Sequence, residues 1–238
     1  MQTIQALVAL VKPQFPMVLS NEAPPTRVVS AGLLARITGT AEASLRIAEL
    51  QRGADLMVAA RCLFEHVIVF AWLTGPTDEA ERMLRLSQWQ VQDHLDRGRA
   101  DKEITALLGS PFLTEDNRQL AEQAKAVRHQ GATALADRAA QADREWAGRM
   151  RFASSGGNVA NRPYSLRASY STLYRFASSM AHPTLTGLNL VATRTETHTV
   201  IELEPRGRAA AALGIALGVF GVSLYISSFG ISRVMAGL

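Results

Sequence analysis

Residues 174–183 read YRFASSMAHP, and four of their side chains have types suited to joint chemistry. On a helix advancing about 100° per residue, Arg175, Ser178 or Ser179, and His182 share one face over roughly 10 Å. A histidine can move a proton while a neighbouring guanidinium holds developing phosphate charge. A second stretch, ARCLFEHVIVFAW at 60–72, sets Arg61 and Glu65 four residues apart in an otherwise apolar segment. Burying two charges there is costly unless each is paired, and an Arg ahead of a Glu is the weaker order for a pair within one helix. Glu65 is therefore expected to look across to another helix, with Arg175 or His182 as its natural partner. The same residues also have a plainer reading. A His before Pro caps a helix end, an Arg–Glu pair ties a bundle together, and helical Ser side chains bond back to carbonyls.

Several elements must position these groups. Pro13, Pro16, Pro24 and Pro25 break residues 1–26 into an arm, which leaves 27–238 as one domain. Val29, Leu33, Ile37, Ala41, Leu45 and Ala48 recur at helical spacing until Gly53. Asp55 to Leu73 is apolar nearly all round and stops at Gly75-Pro76, the pattern of a buried helix. Thr77 can cap a third helix, running through Met83, Leu84 and Val91 towards Gly98. A fourth spans Glu115 to Met150, with Leu120, Ala124, Val127, Gly131 and Leu135 on one stripe. After a loop at 152–163, a fifth runs from Ser165 to Ala181, where Pro183 forbids continuation. Residues 190–203 alternate in the manner of a short hairpin turning near Thr195 and Glu196, and an apolar helix over 209–232 completes the set. The fold class is mainly α: a single bundle of about six helices with a short β-hairpin before the last.

Composition narrows the function. A net charge of +4 and a sequence pI near 9.6 permit contact with RNA without demanding it, because acids are interleaved with bases nearly everywhere. Arginine supplies 22 of the 25 basic residues, and its planar fork suits phosphate better than lysine does. The single cysteine, Cys62, forbids an internal disulfide, and its apolar surroundings predict a buried, inert thiol in a reducing compartment. No HExxH occurs, and Glu65-His66 lacks the Glu-x-x-His spacing of a di-iron bundle, so neither metal nor cofactor is expected. Ser154-Ser-Gly-Gly157 has no P-loop lysine and reads as a linker. Arg118, Lys125, Arg128, Arg138, Arg144 and Arg149 are balanced by Glu115, Glu122, Asp137, Asp143 and Glu145, the pattern of a solvated face. The apolar run Ile4–Val11 lacks the basic residues and cleavage site of a secretory signal. Residues 209–232 carry no charge, are flanked by Arg206, Arg208 and Arg233, and include Gly214 and Gly218 at GxxxG spacing. They read either as the core helix of a cytoplasmic protein or as a membrane anchor.

An Arg followed after a short gap by His near the end of a late helix resembles the Arg-X4-6-His signature of the HEPN superfamily. The series RCLFEHVIVFAW, YRFASSMAHP, hairpin and apolar last helix is similar to a bacterial HEPN-like family of unknown function, over about residues 27–235. The resemblance implies a metal-independent ribonuclease of a toxin or antiphage defence system. It implies a homodimer that brings two Arg–His pairs together and an RNA 2′-OH that attacks the adjacent phosphate. His182 would handle the proton and Arg175 the phosphate charge, with Arg61, Glu65, Ser178 and Ser179 as a supporting polar cluster, and with an antitoxin or defence protein as partner. The gap here is six residues, the upper limit, and Phe176 stands where active ribonucleases often carry a polar residue. The other class of function that the chain suits is a catalytically silent helical binding or dimerisation module.

Overall fold

A computed structural model describes residues 12–50, 53–127, 134–146, 165–174, 192–194, 196–197 and 199–201, together with Gln5, Val8 and Ala9. Six α-helices lie in these stretches: α1 (Pro25–Glu49), α2 (Gly53–Thr74), α3 (Glu79–Leu108), α4 (Glu115–Ala126), α5 (Leu135–Trp146) and the single turn α6 (Leu166–Ser169). The last passes directly into a π-helical turn, Tyr170–Tyr174. The protein is a mainly-α bundle organised around α2, which α1 covers on one side and α5 on another. Leu56, Met57, Ala60, Leu63, Phe64, Val67, Ile68, Phe70, Ala71 and Trp72 of α2 are all buried. They meet Leu33, Leu34, Ile37 and Ala41 of α1 and Ala139 and Ala142 of α5. Asp55–Thr74 is long and apolar enough to cross a membrane, yet most of it is buried inside the bundle, as the core helix of a packed domain is.

Several boundaries differ from expectation. Helix α3 starts one residue later than a Thr77 cap allows, because Asp78 caps it by accepting a hydrogen bond from the Ala80 amide at 3.2 Å. It runs past Gly98 to end at Gly109, whose φ of 73° is the left-handed geometry that glycine tolerates. Gly98 serves helix packing instead, since a Cβ there would fall 2.8 Å from that of Ala121 on α4. The buried residues of α3 are Arg85, Leu86, Leu95 and Asp101, while Met83 and Leu84 are exposed. The long fourth helix is two helices, α4 and α5. Gly131 stands between them in sequence, and glycine disfavours a helix interior by about 1 kcal/mol.

The expected β-hairpin is corrected too. Among the described residues only three-residue strands pair, Ala192–Arg194 antiparallel to Thr199–Ile201 with Thr193 opposite Val200. That is about half an ordinary strand, and it forms no layer of the fold; the architecture is helical. The helix expected at 209–232, and with it the membrane question, lies outside the described residues. The N-terminal segment lies against the domain: a 3-10 turn at Lys12–Gln14 is tied to α1 by Lys12–Glu42 at 2.8 Å. Val8 joins the core, and Phe15 and Met17 pack upon it.

The end of α2 is closed by a polar knot. The Arg85 side chain is only 7% exposed, and its Nη1 donates to the Trp72 carbonyl at 2.6 Å and to Glu145 Oε2 at 2.8 Å. Its Nη2 pairs with the other carboxylate oxygen of Glu145. Gly75 has no side chain because the Glu145 carboxylate occupies that space. Removing Arg85 strands a partly buried carboxylate and an interior carbonyl. Arg85→Ala should therefore lower stability by about 3 kcal/mol, whereas Arg97→Ala, which breaks an exposed pair with Asp93, should change it by less than about 0.5 kcal/mol. Urea denaturation of the two variants checks the contrast.

Candidate functional site

The apolar sequence of α2 leaves it one polar edge, and the candidate cluster sits there. Arg61 Nε donates to Glu65 Oε1 at 3.2 Å, so the two charges pair along their own helix despite the weaker order. The expectation of a deeply buried ionic cluster is corrected: the side chains retain 25% and 38% exposure, because the edge faces the rim of the bundle. Cys62, beside them, is exposed, contrary to the buried thiol expected.

Glu65 does reach another element, and its partner there is Tyr174. The tyrosine hydroxyl donates to Glu65 Oε1 at 2.8 Å, and the Arg61 guanidinium lies 5.4 Å from the Tyr174 ring. Burial, followed by the hydrogen bond to the Glu65 carboxylate, pushes the Tyr174 phenol above its usual value, with Arg61 opposing. Burial works against the charge on Arg61, but contacts with Tyr174 and Glu65 outweigh it and hold the guanidinium above its ordinary value. Next along α2, His66 is held below its usual value by burial and then by the charge of Arg36, against the pull of Glu65. Among the described residues its Nδ1 has no hydrogen-bond partner.

Ser165 begins the segment that carries Tyr174, capping α6 by accepting from the Ala168 amide at 2.9 Å. Asp143 of α5 secures that start by accepting from Ser165 Oγ, the Leu166 amide and the Arg167 amide at 2.8, 2.7 and 3.0 Å. The chain then widens into the π turn, a form often found at functional positions. Tyr170 and Tyr174 stack within it, ring centres 4.6 Å apart and planes 16° from parallel. Arg167 lies 6.0 Å from the Tyr170 ring. Sequence reading missed these tyrosines as site residues; the signal available was the RASYSTLYR spacing, which puts Tyr170 and Tyr174 one turn apart between two arginines.

Arg175, Ser178, Ser179 and His182 lie outside the described residues, although Tyr174 places the covalent neighbour of Arg175 beside Glu65. Among the described residues, no group of three or more His, Cys, Asp or Glu side chains could hold a metal ion.

The fold and this edge define a helical-bundle protein whose polar face joins α2 to a late π turn. The chain belongs to a family of unknown function, DUF5677, whose model matches residues 27–198. No curated protein and no solved structure matches it.

The half-exposed setting of Glu65 sets the scale of its effect. Glu65→Ala should cost about 1 kcal/mol, the worth of one hydrogen bond and a partly solvated pair. Glu65→Gln should lower the ionisation midpoint of Tyr174 towards the ordinary tyrosine value near 10. Because the folded-state value is raised, the stability tied to this phenol is complete below about pH 10 and is lost as pH rises through the folded midpoint. Tyrosinate absorbance, taken as the difference between each protein and its Tyr174→Phe counterpart, gives the midpoint.

Proposed function

We propose that the chain is a non-catalytic helical binding and dimerisation module, with the tip of the α3–α4 hairpin as its contact face. The observation that carries this reading is the exposure of three large apolar side chains: Leu107 at 82%, Leu108 at 68% and Phe112 at 70%. Apolar groups gathered at the end of a well-packed bundle mark an interaction surface. The tip is also held in shape. Buried Asp101 accepts from the Phe112 and Leu113 amides at 2.8 and 2.6 Å, which fixes the turn and displays the Phe112 ring outward. Beside it lies a cleft of about 400 Å³ lined by Gly98, Ala106, Pro111 and Ala121, with Lys102 and Arg118 at its rim. A second copy of the chain is the partner proposed. Burying each large side chain is worth about 2 kcal/mol, and a homodimer carries each substitution twice, so Leu108→Lys with Phe112→Lys should weaken a dimer by on the order of 10⁵-fold or more. Light scattering across a dilution series measures this. A wild-type protein that stays monomeric at the highest soluble concentration would remove the dimerisation reading.

One observation favours a second reading, a HEPN-like metal-independent RNA endonuclease with Arg175 and His182 as its acting pair. The Tyr174–Glu65 hydrogen bond anchors the residue that precedes Arg175, as a site needing a fixed guanidinium requires. An antitoxin or defence protein would be its partner. His182→Asn and Arg175→Ala should then each reduce cleavage of total RNA by about 10²- to 10⁴-fold without unfolding the protein, and EDTA should leave wild-type cleavage unchanged. Intact RNA after incubation with the wild-type protein would eliminate this reading.

A further inference from the structure

The stacked tyrosines and their two arginines have an open end and a closed end. At the closed end, Arg61 is neutralised by Glu65, which also takes the Tyr174 hydroxyl, so charge and hydrogen bonds are satisfied there. At the open end, the Arg167 guanidinium lies over Tyr170, and among the described residues no carboxylate pairs with it. The acid that serves its backbone, Asp143, is already engaged by three donors at the start of α6. A distance of 6.0 Å is the outer limit for attraction between a cation and a ring, so the contact is loose. An exposed guanidinium, unpaired among the described residues, thus stands beside a partly exposed tyrosine.

We infer that Arg167 and Tyr170, backed by Tyr174, form a stacking platform for the bases of a single-stranded nucleic acid. Such a strand alternates flat π faces with anionic phosphates, and this edge offers a ring for the one and an unpaired guanidinium for the other. A base can stack on the guanidinium plane or enter between it and Tyr170. The Tyr174 ring, anchored on α2, and the core on which both tyrosines pack hold Tyr170 in place when its outer face is engaged. A duplex keeps its bases paired and stacked and has no free face to offer. The platform requires no catalysis, so it stands whether or not Arg175 and His182 cleave RNA.

The test uses the full chain and a fluorescent 2′-O-methyl RNA strand of about ten nucleotides, which has no 2′-hydroxyl to attack and stays intact. Fluorescence anisotropy should show binding to this strand and to single-stranded DNA of the same sequence, with weaker binding to the duplex. Tyr170→Leu should weaken binding by on the order of 10-fold or more, and Tyr170→Phe should restore it. Arg167→Gln, on an exposed side chain that folding does not need, should reduce the slope of log affinity against log salt by about 0.7, one phosphate contact on a single strand. Binding by Arg167→Gln with an unchanged salt slope would overturn the platform, even if Tyr170→Leu fails to fold. So would a wild-type protein that binds no single strand at low salt. Cleavage of unmodified RNA, followed in parallel, separates the inferences: cleavage untouched by Arg167→Gln and Tyr170→Leu sinks the platform and spares the nuclease. Binding that depends on both residues, with no cleavage, does the reverse.

Discussion

The structure depends on how the C-terminal end of α2 is closed. A helix leaves its last four carbonyls without intrahelical partners, and α2 ends in the interior, where water does not supply them. Arg85 reaches from α3 to one of them, the Trp72 carbonyl, while the buried Thr74 hydroxyl is satisfied by donating back to the Phe70 carbonyl at 2.7 Å. Bringing a guanidinium inside is tolerable only with a counter-charge, which Glu145 of α5 supplies. That carboxylate fits only because residue 75 is glycine. The Trp72 ring completes the arrangement: its Nε1 donates to Gln141 of α5 at 2.7 Å, and Arg85 and Arg138 lie 5.6 and 4.9 Å from the ring. One orphan carbonyl thus ties α2, α3 and α5 in register.

With α5 set by that knot, the position of the candidate site follows. Asp143 lies on α5 two residues before Glu145, and it fixes the first turn of α6 through three hydrogen bonds. From that start the π turn carries Tyr174 onto the edge of α2 that bears Arg61 and Glu65. The polar edge and the structural knot share one cause: α2 is apolar along most of its length, so Glu65 at its edge and the Trp72 carbonyl at its end are both met by groups from other elements.

How much of this was legible in the sequence differs by scale. The buried character of residues 55–73 was plain from their composition, and the stripe Leu33, Ile37, Ala41, Ala48 marked the inner face of α1 by spacing alone. Gly98 misled, because a glycine that ends a helix and one that admits a neighbouring helix look the same until the neighbour is known. Arg85 and Glu145 drew no notice as partners; they stand 60 residues apart, and nothing local distinguishes a buried arginine from the exposed ones around it. Glu65 meets another element through Tyr174, while Arg175 and His182, the partners that its charge suggests, lie outside the described residues. A phenol serves where the carboxylate is only half buried and already shares a guanidinium.

The exposure of that carboxylate bears on what the edge can do. Acid–base and oxyanion chemistry gains most where water is excluded and the effective dielectric falls. Arg61, Glu65 and Tyr174 lie at the rim, partly solvated, and pair with one another in a way that holds their charges fixed. Stacking has no such requirement, since an aromatic face attracts a planar ligand at a wet surface and becomes drier as the ligand arrives. The described part of the edge is therefore not the dry setting from which acid–base chemistry gains most. Its anchoring of Tyr174 is what any chemistry at Arg175 would inherit.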